Sequence, residues 1–193
     1  TPAMDPLLLL IHLCYTAAMK FEQWHEDTVF FREMKPYFGQ CDKHQRLNLS
    51  ELLLATSDTA VEDYHQRGMT YDVLKDSGIA ILVSRVSLRI HRHPQANQPF
   101  TVRTWEEAPA GLQLTRRYEL FDQENNPLVS GSSTWVVVTL QNRRIMRPSD
   151  FTMREAPTIK SEFCGLPCGK IAAGSSMTVE DQRTIHFSDI DSN

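Results

Sequence analysis

Residues 48–68 read NLSELLLATSDTAVEDYHQRG, and this stretch decides how the rest of the chain is arranged. Both of its ends carry helix punctuation. Asn48 is a residue type that caps a first turn, Glu51 stands three positions on to reach back to it, and Gly68 supplies a left-handed exit. Leu49, Leu52, Leu53, Thr56, Ala60 and Tyr64 recur at spacings of three and four and define one face, expected to be buried. Glu51, Asp58, Glu62, Gln66 and Arg67 fall opposite, where water suits them. Apart from a short second helix over residues 70–76, the chain beyond Gly68 reads as strand. The expected architecture is therefore α+β, an antiparallel sheet wrapped around one long helix.

Downstream, residues 82–92 place Leu82, Val86, Leu88 and Ile90 at even positions and Arg85, Ser87, Arg89 and His91 at odd ones. That alternation predicts a long, half-buried antiparallel strand. Strands are expected over 100–105 and 112–121, separated by the turn-prone residues 108–111, and a last one over 128–140 after the turn cluster DQENNP at 122–127. Together they predict a four-stranded meander. In the last strand Gly131 and its neighbouring serines leave room for the close approach of another backbone or a ligand.

Upstream, residues 29–41 read as strand and end at Cys41-Asp42, with His44 just beyond. An acid at the mouth of a strand beside a helix start is a place for catalysis; a turn-forming Asp explains it equally well. Residues 7–14 (LLLLIHLC) are the most apolar run, but a membrane span needs ~20 such residues. The residues ahead of them lack the basic region of a secretory leader. Residues 1–28 are expected to be an N-terminal extension with a short helix capped by Asp5, either packed on the domain or left over from cloning or an upstream reading frame.

A length of 193 residues allows one domain, or one and part of a second. The balance of 41% hydrophobic and 23% charged residues places the chain among soluble globular proteins. A net charge of -4 gives no nucleic-acid footprint over the whole molecule. Cys14, Cys41, Cys164 and Cys168 are too scattered for a disulfide framework, which fits a reducing compartment, and Cys164 and Cys168 lack the second pair that a zinc site needs. There is no Gly-rich phosphate loop, so no metal, cofactor or nucleic acid is expected.

Towards the C-terminus the texture turns to Pro, Gly and Ser, which reads as an interdomain linker over 151–181, and residues 183–190 (RTIHFSDI) read as a new strand. Setting YFGQCDKH (37–44) against HFSDIDSN (186–193) aligns Phe38 with Phe187 and Asp42 with Asp191, 149 residues apart. An acid at the end of a strand in both places is the trace expected of a duplicated unit.

The blocks CDKHQRLNLSELLLATSDTA, GIAILVSRVSLRIHRHP, FTVRTW, RRYELFD and GSSTWVVVTLQNRRIMRP, in that order, resemble the first half of the acyl-acyl-carrier-protein thioesterases of bacteria and plastids. The resemblance covers roughly residues 30–193. It implies a tandem pair of hot dog domains, with the first over 29–150 and the start of a truncated second over 182–193. It also implies hydrolysis of the thioester of fatty acyl-acyl carrier protein, releasing free fatty acid in fatty acid biosynthesis. The location implied is the bacterial cytoplasm, or the plastid stroma for a plant chain.

The family's second motif is Asp-x-Asn-x-His; this sequence carries Asp191 and Asn193 of it and ends before the His. By resemblance Asp191 acts as carboxylate base or nucleophile, and Asn193 orients a partner or holds the carbonyl. The missing His implies a truncated form of a longer enzyme, slowed by orders of magnitude. The family's N-terminal domain contributes much of the acyl pocket. Thr56, Ser57 and Ala60 are small enough to leave room beside the helix, with Leu53 and Trp135 as walls; plain core packing is the alternative.

A basic surface for the acidic acyl carrier protein is expected from Arg85, Arg89, Arg92 and Arg103, in an acid-free run over 77–105, and Arg143, Arg144 and Arg147 form a second cluster. Solvated strand faces, or pairs with nearby carboxylates, would account for the same charges. Two other classes stay open: a non-catalytic acyl-binding or regulatory hot dog module, and a structural unit that pairs with a second copy as a homodimer to cover an open sheet edge.

Overall fold

The computed structural model describes residues 22–155 together with 157, 166, 168–170, 182–184 and 186. Six strands, β1 (Gln23–Glu26), β2 (Val29–Met34), β3 (Ile79–Ile90), β4 (Phe100–Ala110), β5 (Gln113–Asp122) and β6 (Pro127–Thr139), accompany a long helix α1 (Leu49–Gln66) and a short one, α2 (Tyr71–Asp76). The strands form one sheet in the order β1-β2-β4-β5-β6-β3. The α+β expectation holds. The chain groups into two compact units, one of residues 1–63, 90–105 and 118–129 and the other of 64–89, 106–117 and 130–193.

The strand order corrects the meander. β3 lies beyond β6 rather than beside β4, and the Gly78 carbonyl accepts from the Leu140 N–H at 2.8 Å at one end of that pairing. Gly131 makes the approach feasible. A Cβ there would strike the Leu88 side chain and sit 3.1 Å from the Ser87 carbonyl, so the expected close passage of a backbone is found. β3 is an edge strand whose expected burial is only partly met: Ile79 is buried and Leu88 and Ile90 are partly buried, while Leu82, Val83 and Val86 are exposed.

The opposite edge was not legible as strand. β1 arises within the stretch read as an extension, pairing Trp24 with Phe31 and His25 with Phe30 across a two-residue turn in which Asp27 adopts φ 52°. The Trp24 and Phe31 rings stack at 5.1 Å. β2 then ends at Met34, and a 3-10 turn over Phe38–Gln40 and an isolated bridge from Cys41 to Leu47 replace the rest of the predicted strand. β4 runs through the residues read as a turn, as far as Ala110, and the reversal falls at Gly111, φ 62°.

Helix α1 starts and stops where its punctuation lies. The Asn48 carbonyl accepts from Leu52 N–H at 3.0 Å, placing Asn48 at the cap. Glu51 has a different partner from the one expected: its carboxylate accepts from Gln40 Nε2 at 2.7 Å, while the Asn48 N–H donates to the Gln40 carbonyl at 3.0 Å. At the other end Met69 N–H donates to the Tyr64 carbonyl and Gly68 N–H to the His65 carbonyl, both at 2.9 Å, with Gly68 at φ 84°. These paired bonds satisfy two carbonyls that the helix end leaves orphaned.

The buried face of α1 comprises Leu52, Ala55, Thr56, Thr59, Ala60, Asp63 and Tyr64. Leu49 and Leu53, expected on it, are 59% and 38% exposed. The stripe is rotated toward small and hydroxyl-bearing residues, and these are satisfied locally: Thr59 Oγ1 donates to the Ala55 carbonyl at 2.6 Å and Thr56 Oγ1 to that of Leu53 at 2.9 Å. Beyond β6, Phe151 is buried and Arg154 pairs with Glu106, so packing continues past residue 150. Of the strand expected over 183–190, Arg183, Thr184 and His186 are exposed and in no strand; the others lie outside the described residues, as does the apolar run 7–14.

Candidate functional site

Asp42 is a turn-former. Its Oδ1 accepts from the His44 and Arg46 N–H groups at 2.8 and 3.0 Å, and its Oδ2 from Arg46 Nε at 2.9 Å. The Arg46 backbone bond is the largest cause that holds this carboxyl down to about 2, with the Arg46 side chain and His44 N–H adding to it. A carboxylate so occupied is a weak base, so the catalytic reading of the strand mouth gives way to the turn reading. Next to it the Cys41 thiol is raised above its ordinary value by burial first, then by the charges of Asp42 and Glu51, which keeps it protonated and unreactive.

On α1, Ala60 is completely buried, Ser57 is half-buried and Leu53 is part-exposed. Trp135 on β6 is buried and donates from Nε1 to Ser133 Oγ at 2.5 Å. A shallow, solvent-open hollow does lie along the helix, but at its first two turns. It is lined by Met34, Leu47, Ala55 and Phe100 with Lys35 and Glu51, not by the four residues expected to shape an acyl pocket.

The arginines expected to dock the carrier meet different surroundings. Arg92 pairs with Asp122, and Arg103 pairs with Glu119 while its guanidinium lies 4.8 Å from the Phe121 ring centroid. Arg85 donates to Gln113 Oε1 at 2.9 Å. Arg89, Arg143, Arg144 and Arg147 are exposed. At ~3.3 Å per residue, Arg89 stands about 36 Å along β3 from Gly78, whereas Arg143 and Arg144 lie in the turn just beyond Leu140, Gly78's partner. They do not form one patch.

Two charged clusters escaped the sequence reading. In the first unit, buried Asp63 on α1 meets Nε2 of His25 on β1 at 2.9 Å, and the imidazole lies over Phe30 at 4.8 Å between ring centroids. In the second, Glu106 on β4 takes Arg154 directly, with Arg116 of β5 at 4.0 Å, while Glu107 pairs with Arg117 at 2.7 Å. The Arg116 guanidinium sits 4.7 Å from the Tyr64 ring centroid. Burial pushes the Tyr64 hydroxyl up to about 12, against the pull of Arg116 and Arg154 and with Glu106 adding to it, so Tyr64 stays a proton donor. A signal existed for both: an acid on the buried stripe of α1, and acid and base doublets on either side of Gly111. Asp191 and Asn193, the residues assigned to the chemistry by resemblance, lie outside the described residues. Among the described residues no group of three metal-ligating side chains converges, and no helix is long and apolar enough to cross a membrane.

Comparison with known proteins gives this geometry a context. A family model described as the acyl-ACP thioesterase N-terminal domain matches residues 27–154. A provisional oleoyl thioesterase from Lactobacillus plantarum superposes with TM-score 0.69 at 18% identity, over 90% of this chain and 66% of its own. An acyl-ACP thioesterase from Bacteroides thetaiotaomicron gives 0.63 at 20%, over 86% and 67%. A 12:0-ACP thioesterase from Umbellularia californica gives 0.59 at 16%, over 66% and 52%. The chain thus spans about two thirds of the length of the first two structures and about half of the third. A search of curated proteins gives no significant match. At these identities the structural likeness establishes the fold, and the helix with its six-stranded antiparallel sheet is a hot dog domain.

Proposed function

The chain belongs to the acyl-ACP thioesterase family, and on that premise we propose that it serves hydrolysis of the thioester joining a fatty acyl chain to acyl carrier protein, releasing free fatty acid. The observation that carries this reading is the family match from residue 27 to 154, which takes in helix α1 and the strands β2 to β6. In this reading, which for the catalytic groups rests on the resemblance of the sequence motif, Asp191 is the carboxylate that activates water or attacks the carbonyl, and Asn193 supplies a donor to the substrate. The oxyanion that develops on the thioester carbonyl needs such a donor, and the leaving thiol of the carrier's prosthetic arm departs with a proton.

The first hot dog domain contributes acyl binding in this reading, with Leu53, Ser57, Ala60 and Trp135 setting chain length. Each methylene withdrawn from water contributes about 0.8 kcal/mol, so shortening the tunnel by two or three carbons changes selectivity measurably. Carrier docking falls to the exposed turn of Arg143 and Arg144, with Arg89 and Arg85 on β3 as a separate basic surface, and the reaction takes place in a soluble compartment of fatty acid synthesis.

Hydrolysis rates on a ladder of acyl-acyl carrier proteins and the matching coenzyme A thioesters test the substrate class. Preference for carrier-bound substrates is expected; equal rates on both would remove the carrier from the reading. Ala60→Phe is expected to shift the preferred acyl length downward, and an unchanged profile in a folded variant would take Ala60 out of the pocket. The same experiment addresses the acyl-binding module, which would retain fatty acid on purification without turning over any thioester.

A further inference from the structure

We propose that residues 148–155 form a strap that belongs to the hot dog domain rather than to a linker, clasped onto its sheet by Glu106. The strap starts at the 3-10 turn Pro148–Asp150 and buries Phe151. Arg154 lies over the Phe151 ring at 5.3 Å, and its guanidinium donates to Glu106 Oε1 and to the Glu155 carbonyl, the latter at 2.9 Å. Arg154 and Glu106 side chains are only 9% and 10% exposed. A charge pair that far from water holds its geometry, because either partner left alone would be a buried, uncompensated charge.

Glu106 is shared. Arg116 approaches its other oxygen at 4.0 Å, so the carboxylate links strand β5, strand β4 and the strap in a single node. Further along the chain a second attachment repeats the arrangement with neutral groups: Ser132 Oγ of β6 donates to the Leu166 carbonyl at 3.0 Å. A free linker would show neither a buried aromatic nor a buried ion pair. The family match ends at residue 154, the residue that closes the clasp, which marks the strap as part of the domain.

Hydrogen exchange measured by mass spectrometry on the full 193-residue chain tests it. Arg154→Ala is expected to speed exchange in peptides covering 148–155 by about tenfold or more, with peptides covering β1 and β2 unchanged. Arg154→Lys, which keeps the charge and loses the forked geometry, should give a smaller acceleration of the same peptides, and it replaces the alanine variant if that one fails to fold. Ser132→Ala should accelerate only the peptides around residue 166. Unchanged exchange over 148–155 in a folded Arg154 variant overturns the strap. Failure of the thioesterase reading would appear separately, as absent turnover with strap protection intact.

Discussion

Asp42 and Asp122 perform one task in two turns. Each accepts two backbone N–H groups through Oδ1, from His44 and Arg46 in one case and from Glu124 and Asn126 in the other. Each turn carries a residue at positive φ three places after the aspartate, Gln45 at 62° and Asn125 at 61°. Both carboxyls are lowered from 3.8 to about 2, by the Arg46 backbone bond first in Asp42 and by the Asn126 side chain first in Asp122. A folded-state value below the unfolded one means that the turns stabilise the fold at pH above about 4 and lose that contribution as pH falls from 4 through 2. Carboxyl titration by NMR should find both midpoints near 2. In addition, Asp42→Asn should flatten the acid limb of the thermal stability curve, and a midpoint near 4 for Asp42 would contradict the hydrogen-bond account.

At the scale of elements, α1 ends where Gly68 allows a left-handed residue. Gly68→Ala forces a side chain into φ 84° and should cost about 1 kcal/mol, lowering the melting temperature by about 2–4 °C in a chain of this size. Gly39 has open space around it and no positive φ, so Gly39→Ala is the matched control and should melt with the wild type. Calorimetry on the pair separates the conformational cost from mere loss of glycine. The ends of α1 and the role of Gly131 were legible because both depend on local geometry that few residue types satisfy. The rotation of its buried face was not. Leu49 and Leu53 outweigh Thr59 and Asp63 in any hydrophobicity pattern, yet the hydroxyl is satisfied within the helix and the carboxylate by His25, so polar residues took the core positions. β1 was missed for a related reason: four residues that pair within the sheet with β2 carry little alternation.

For the whole molecule, sheet order decides which charges can cooperate. Residues 77–105 read as one basic field because sequence proximity hides that Arg92 and Arg103 are paired and that Arg89 lies far along β3 from the Arg143–Arg144 turn. A docking role assigned to that turn has a kinetic signature. Reversing both charges, Arg143→Glu with Arg144→Glu, should lower kcat/KM on carrier-bound substrate several-fold at low salt, converge on the wild type at high salt, and leave coenzyme A substrates unaffected. Equal losses on both substrates would assign the effect to folding instead. The hot dog architecture and the family were legible from the order of the blocks; the catalytic chemistry was placed by likeness at Asp191 and Asn193, which lie outside the described residues.

The most direct test of the account is single-turnover cleavage of a long-chain acyl-acyl carrier protein by the chain and by its Asp191→Asn variant. The account predicts free fatty acid from the former and a rate lower by at least about a hundredfold in the latter, with acyl binding retained. Equal measurable rates from the two proteins would contradict it.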